Sequence, residues 1–422
     1  MAVAPLRILV ILPMYGGSLP IGRYCAAALR ELGHTAHVFE SPLMYPAFTG
    51  LQGLALTPNR AAQLEHSFLQ VLSQAIWAQV ESVEPHLVLA LAQAPVSRSL
   101  LQRLQRSGVR TAMWFVEDYR LFTYWRAYAP LYDVFAVIQK EPFLSELAAL
   151  GVRSLYLPLA ALPDFHKPLA LSPVEQREYG ADIGFLGAGY PNRRLAFRRL
   201  AGRDFKIWGS DWEGESLLAG HVQRQGARIG EEESVKIYNA TRVNLNLHSS
   251  LQTNDLVSHG DFVNPRTFEL AAMRAFQLVD ERTLLPELFA PDELATFASL
   301  EEFYAKIDYF LARPEERAAY AARGQARVVR EHTYARRMAA LLEYCEQSLG
   351  PWQESGPEKA PLPELPAEVQ AELAQLARKL GLGPHASFED VLARLRQQSG
   401  ALSDLETSLL FLDEWRRQYL QR

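Results

Sequence analysis

Short, almost wholly apolar runs alternate with stretches of helical periodicity from the start of the chain. Leu6 to Leu12 is the first such run, followed by the turn Met14-Tyr15-Gly16-Gly17-Ser18 and a predicted helix to Leu32, closed by Gly33. Val38-Phe39, His86 to Leu91, Arg110 to Val116, Val134 to Ile138 and Ser154 to Leu157 read as further strands. Helices from about Asn59 to Ser82, from Ser97 to Arg106 and after Glu141 fall between them. Repeated strand–helix–strand units of this kind give a parallel sheet covered by helices on both faces, and right-handed crossovers make it doubly wound. The pattern lapses around Pro158, Pro163, Pro168 and Pro173, which sets a boundary near residue 160.

A second series starts afresh with Asp182 to Leu186, the turn Gly187-Ala188-Gly189 and a helix from about Asn192. Its later strands are Phe205 to Trp208, Val243 to Leu247, Phe276 to Val279 and Ala295 to Phe297, with helices from Glu232, Pro265, Leu300, Pro314 and Tyr334. The expected architecture is α/β: Rossmann-like domains over 1–160 and 161–349, facing across a cleft lined by strand C-termini. Residues 350–366 read as a proline-rich linker, and 367–422 as a helical appendix with Leu373, Leu376, Leu380, Val391, Leu392 and Leu395 on apolar faces. The appendix suits either simple packing or a contact with a partner or a second copy.

One stretch concentrates the polar groups, from Asn244 to Val279. It opens with Asn244, Asn246 and His248 alternating with Val243, Leu245 and Leu247, which points three polar side chains to one face. A loop of Ser, Asn, Asp, His and Gly then leads to Asn264-Pro265, a helix start. Arg266 and Glu269 lie in its first turns, where free N–H groups and the positive end of the dipole suit a phosphate and a carboxylate suits a sugar hydroxyl.

Composition narrows the class of protein. The chain has 422 residues, 49% hydrophobic and 22% charged, the profile of a globular protein with more than one core. A net charge of −5 gives no reason to expect nucleic acid or an anionic membrane as partner. Cys25 and Cys345 do not make a disulfide framework, and a reducing cytoplasm is expected. The run Leu6 to Leu12 is too short to span a bilayer, so no transmembrane segment is expected. His248 and His259 have no second His or Cys at metal-ligand spacing, and no metal site is expected.

The run GDFVNPRTFELAAMRAFQLVDE, with LPELF and the segment SLEEFYAKIDYFLARPEERAAYAARGQARVVREHTYARRM, resembles the C-terminal half of the CgeB-like (spore-maturation-protein-like) glycosyltransferases of the GT-B superfamily. The earlier piece AMWFVEDYRLFTYWRAYAPLYDVFAVIQKEPFLSELAALGVRSLYLPLA is similar to their N-terminal domain. The resemblance spans roughly Leu6 to Leu349. It implies a glycosyltransferase of hexosyltransferase type that needs no cofactor and no metal. A nucleotide-diphosphate sugar is the co-substrate, held mainly by the second domain. A glycan, protein or small-molecule acceptor is held mainly by the first.

The family pattern places a ribose-binding glutamate at Glu269, and a second acidic position falls on Asp261, one methylene shorter than the glutamate of related retaining enzymes. Gly187 and Gly189 sit between a strand and a helix, where backbone N–H groups can cradle phosphate, but the third glycine of a dinucleotide fingerprint is missing. Arg193 or Arg194 is expected to grip the diphosphate, with Arg266 competing and at least one of the three a bystander. His248 and Asn264 complete the donor-side set. Gly16 and Gly17 form a glycine loop at the mouth of the first domain, for acceptor or phosphates, or simply as an ordinary turn. Glu117 and Asp118 follow a strand end, with Asp118 the preferred base for the acceptor hydroxyl. Trp125 suits stacking on a sugar or a place in the core. Transfer also calls for the domains to close, with hinges at Pro158 to Pro173 and near Tyr334. A nucleotide-sugar or glycan-binding module without turnover, and a GT-B epimerase, are the alternatives.

Overall fold

The computed structural model describes residues 5–250, 261–352, 367–382, 388–396 and 400–419. Residues 251–260, among them His259, and most of the expected linker lie outside them. The chain divides into two compact units, Met1–Met113 with Leu131–Asp133 and Cys345–Arg422, and Trp114–Pro130 with Val134–Tyr344.

Two sheets carry the fold. The first comprises β1 (Arg7–Ile11), β2 (Thr35–Phe39), β3 (Leu87–Leu91), β4 (Arg110–Phe115), β5 (Val134–Val137) and β6 (Ser154–Tyr156), in the order β2-β1-β3-β4-β5-β6. The second comprises β7 (Ala181–Leu186), β8 (Phe205–Trp208), β9 (Thr241–Asn246), β10 (Gln277–Asp280) and β11 (Ala295–Phe297), in the order β11-β10-β9-β7-β8. The pairings β1–β2, β1–β3, β5–β6, β7–β8, β7–β9, β9–β10 and β10–β11 are all parallel. Both are doubly wound, as the alternation of apolar runs and helices predicts, because a strand such as Leu87–Leu91 is buried along its whole length and needs helices on both faces.

The strand order reverses between β1 and β3 in the first sheet, and between β7 and β9 in the second. Ligands of open α/β sheets bind outside the carboxyl ends of the strands at such a point. In the second sheet this is where residues 186–193 meet residues 246–250 and 261–266.

Local chemistry explains the ends of the elements. Gly33 closes the first helix at φ +86°, a conformation that costs other residues strain. Ser97 accepts the Leu100 N–H at the start of the helix Arg98–Arg106. The stretch where the pattern lapses, read as a domain boundary, contains the helix Pro173–Tyr179, with Pro173 in its first turn and a complete capping box between Ser172 and Glu175. The two segments expected as hinges are hydrogen-bonded to each other. Ala161 donates its N–H to the His332 carbonyl at 3.0 Å and accepts from the Tyr334 N–H at 3.0 Å. The buried Arg337 donates from Nε to the Pro158 carbonyl at 2.7 Å.

The C-terminal helices Ala367–Lys379, Phe388–Leu395 and Asp404–Tyr419 build a small core from Leu376, Leu380, Val391, Leu392, Leu395 and Leu409. Two buried acids tie it together: Glu406 accepts from Lys379 Nζ at 2.9 Å and Asp413 from Arg396 at 2.7 Å. Gly381, Leu382 and Arg394 line a small cavity with Arg30, His34, Thr35, Ala36 and His37, so this region packs at edge strand β2. Among the described residues no helix is long and apolar enough to cross a membrane.

Candidate functional site

The polar face of β9 is a scaffold rather than an open wall. Asn244, Asn246 and His248 are all buried, because helices cover both faces of the sheet. Every one is therefore paired. Asn244 Nδ2 donates to the carbonyls of Tyr238 and Phe276 at 3.2 and 3.1 Å, and Asn246 Nδ2 to Thr267 Oγ1 and Gln277 Oε1 at 2.9 Å each.

His248 donates from Nδ1 to Asp280 Oδ1 at 2.6 Å and accepts the Asn264 N–H on Nε2 at 2.9 Å. Burial pushes its pKa down to about 4, so it is neutral with this fixed tautomer. Asn264 in turn caps the helix Pro265–Ala272: its Oδ1 accepts the Thr267 N–H at 3.1 Å and its Nδ2 donates to Asn246 at 2.8 Å. His248 and Asn264 thus spend their polar atoms on holding the helix start in place. Asp280 and Arg282, which the sequence reading did not single out, complete this scaffold, with Arg282 donating from Nε to the Phe262 carbonyl at 3.1 Å.

The Gly187–Gly189 turn differs from a phosphate cradle. The Gly187 N–H donates to the Trp208 carbonyl at 2.8 Å and the Gly189 N–H to the Ser210 carbonyl at 2.9 Å, so neither is available to a ligand. Both glycines serve close approach instead. A Cβ on Gly189 would stand 2.1 Å from the Asp211 carbonyl oxygen, and one on Gly187 would meet Arg266 Nη2 at 3.0 Å. Gly189→Ala is therefore expected to destabilise the protein by about 2 kcal/mol or more, lowering its melting temperature by roughly 5 °C in a thermal scan.

The three arginines separate cleanly. Arg194 sends its fork to the carbonyls of Gly189, Glu213 and Asp211 and lines an open groove with Pro191, Leu195, Arg198 and Glu215. It secures the loop after β8. Arg193 is 6% exposed and donates to the carbonyls of Leu247 and Ala188 at 3.0 Å each. Arg266 donates from Nε to Tyr238 Oη at 3.1 Å and from Nη2 to the Leu186 carbonyl. Both stack on one ring, Phe185, at 5.0 and 5.2 Å from its centroid. Among the described residues neither has a carboxylate in salt-bridge range, and burial together with Arg266 pulls the Arg193 guanidinium down to about 9. Two like charges meet here at the carboxyl end of β7, at the switch point of the sheet.

Glu269 stands one turn further along the same helix as Arg266. Its side chain is 18% exposed, and burial pushes its carboxyl up to about 7 against the pull of Arg266. His166 Nε2 lies 3.9 Å from its Oε1. His166 Nδ1 accepts the Leu162 N–H at 3.0 Å, so the ring proton is on the nitrogen that faces Glu269. His166 and Tyr238 were missed in the sequence because nothing local marks them. They reach the site from the segment before the helix Pro173–Tyr179 and from the helix Glu231–Ala240.

Asp261 and Asp118 converge in the same compact unit. Asp261 Oδ1 accepts from Gln139 Nε2 at 2.8 Å, and both Arg120 and Arg282 feel the charges of Asp118 and Asp261. Asp118 Oδ1 accepts the Arg120 N–H at 2.9 Å, which closes the turn that follows β4. Glu117 is half-buried beside it. Trp125 is 1% exposed and packs edge-on against Phe143, so it belongs to the core and not to a stacking surface. In the other unit, Gly16 takes φ +101° and Ser18 Oγ, just beyond Gly17, donates to the Ala92 carbonyl at 3.1 Å; this turn lies at the β1–β3 switch point.

The chain is similar to several known proteins. A family model described as glycosyl transferase-like matches residues 193–343, the part of the chain that carries both arginines and Glu269. Spore protein CgeB of Bacillus subtilis is 23% identical over 266 residues, covering 61% of this chain and 81% of that protein. Among solved structures, sucrose-phosphate synthase of Thermosynechococcus elongatus superposes with a TM-score of 0.56 at 13% identity, over 82% of this chain and 99% of the other. HepE of Anabaena, in complex with UDP and glucose, gives 0.55 at 12% identity over 81% and 100%. The resemblance to the CgeB-like proteins thus stands on a matching glycosyl transferase-like domain and a curated relative, and the chain has the GT-B fold of the glycosyltransferases.

Proposed function

We propose that the chain transfers a hexose from a uridine-diphosphate donor to a hydroxyl of a glycan, protein or small-molecule acceptor. The observation that carries this reading is the Arg193–Arg266 pair. Two guanidiniums gathered on Phe185 with no carboxylate in salt-bridge range among the described residues is an unfavourable arrangement that a dianionic diphosphate relieves. The start of the helix Pro265–Ala272 adds its dipole, and Glu269 in its second turn accepts the ribose hydroxyls. The uridine base is supported by the UDP bound in HepE, the similar structure.

In the reaction the acceptor oxygen bonds to the anomeric carbon while the bond from that carbon to the diphosphate oxygen breaks. The negative charge that develops on the leaving diphosphate is met by the two arginines, which do the work without a metal ion. Asp118 takes the acceptor proton.

Titrating UDP, GDP and dTDP into the protein by calorimetry, and following release of UDP from UDP-glucose, tests the reading. Tight binding of UDP with slow hydrolysis of UDP-glucose is the expected result. UDP binding with neither hydrolysis nor transfer would favour a binding module, and recovery of an epimerised sugar would favour an epimerase. Failure of every nucleotide to bind sinks the proposal.

A further inference from the structure

We infer that Gln139 is a positioning residue that fixes the Asp261 carboxylate against the sugar of the donor; this rests on the nucleotide-sugar reading above. Gln139 lies two residues beyond β5 and is 1% exposed. Its Oε1 accepts the Tyr119 N–H at 2.9 Å, which decides the orientation of the amide, and its Nε2 then donates to Asp261 Oδ1 at 2.8 Å. The amide cannot swing away. Tyr119 is stacked on Phe143 with ring centroids 4.4 Å apart, and its carbonyl accepts from Trp125 Nε1 at 3.0 Å.

The other side of Asp261 is equally fixed. The next residue, Phe262, gives its carbonyl to Arg282 and packs its ring edge-on to His248, with centroids 5.6 Å apart. Asp261 itself is half-exposed, and one of its oxygens is tied to a buried amide. It precedes by three residues the cap of the helix that carries Arg266 and Glu269. Asp261 thus stands five residues before Arg266, at the approach to the helix start that the nucleotide-sugar reading gives to the diphosphate. A carboxylate oriented by a donor with no freedom of its own is suited to accept a sugar hydroxyl in one geometry.

Gln139→Glu and Gln139→Met test the inference, with UDP-glucose hydrolysis as the assay and UDP as the binding probe. Glu keeps the acceptor for Tyr119 but sets a second carboxylate against Asp261. Its kcat is expected to fall about 10-fold at pH 8 and to recover toward pH 5, where a proton shared between the two carboxyls restores the donor. Met, which has no donor at any pH, is expected to lose the same factor throughout. The UDP Kd of both variants stays within about two-fold of wild type, because the contact is to the sugar. A pH-dependent rescue confined to Gln139→Glu supports positioning, since a purely structural residue would not produce it. Unchanged kcat in both variants, equal pH profiles for the two, or a UDP affinity that falls in step with the melting temperature overturns the inference. No UDP binding by the wild-type chain overturns the reading on which it rests, which is a different result from wild-type turnover with unaltered variants.

Discussion

Arg266→Ala is expected to weaken UDP binding by about 100-fold, with a range of roughly 30- to 4000-fold, and to leave the fold intact. The magnitude follows from removing one partner of a charged, partly desolvated pair, which costs about 2–5 kcal/mol, with each 1.4 kcal/mol a factor of about ten. Arg266 is half-buried at the start of its helix, and its bonds run to Tyr238 Oη and the Leu186 carbonyl. In the unliganded protein its removal ends the repulsion with Arg193 but gives up the bonds to Tyr238 and Leu186 and the pull on Glu269, so the melting temperature should change little. Arg194→Ala makes the opposing control. Its guanidinium satisfies three carbonyls of the surrounding loops, and its loss should lower the melting temperature while changing the UDP Kd by less than about two-fold. Calorimetric titration of UDP into both variants separates the two roles. Equal affinities for wild type and Arg266→Ala would remove the arginine pair from the site.

Much of the fold was legible because parallel sheets announce themselves. The apolar runs of β1 and β3 are buried along nearly their full length, and no other element in a chain of this size needs such runs at such spacing. The helix Pro173–Tyr179 escaped because prolines were read as breakers, although Ser172-Pro173 with Glu175 is also a helix start. On the site, sequence found the residue types and not their loyalties. Asn246, His248 and Asn264 stand in a polar stretch, but whether a polar side chain faces a ligand or another side chain is decided by what covers the sheet. Here helices do, and each amide is spent inside. The glycine turn failed as a cradle for a similar reason: β8 runs beside β7, and residues 208–210 take up the N–H groups that the turn would otherwise offer. Gln139, His166 and Tyr238 come from three distant segments and carry no local mark.

Glu269→Gln is expected to stabilise the protein in alkaline solution while impairing it as a donor site. In the fold the Glu269 carboxyl is raised by burial from its ordinary 4.5 to about 7. A raised carboxyl pKa means that the folded chain binds a proton between those values that the unfolded chain does not. Stability from this group is therefore fully present below pH 4.5 and lost as pH rises through 7. Above pH 7 the wild-type protein carries a buried carboxylate at a cost on the order of 3 kcal/mol, which glutamine does not incur. The variant should melt at a higher temperature than wild type at pH 8, and the difference should vanish near pH 4.5. Binding should change in the opposite sense. A hydrogen bond from a ribose hydroxyl to a carboxylate is worth about 1.5–3 kcal/mol, so the affinity for UDP-glucose at pH 8 should fall by about 10- to 100-fold. Both phosphates of UDP-glucose are fully ionised from pH 6 to 8, so any change of affinity across that range comes from the protein. Wild type should bind more tightly as pH rises and Glu269 ionises, whereas the glutamine variant should show no such slope. Melting curves at both ends of the pH range, with UDP-glucose titrations at pH 6 and 8, check the two halves separately. A stability difference that is the same at pH 4.5 and pH 8 would show that burial does not hold the carboxyl up, and a shared binding slope would show that the ribose is held elsewhere.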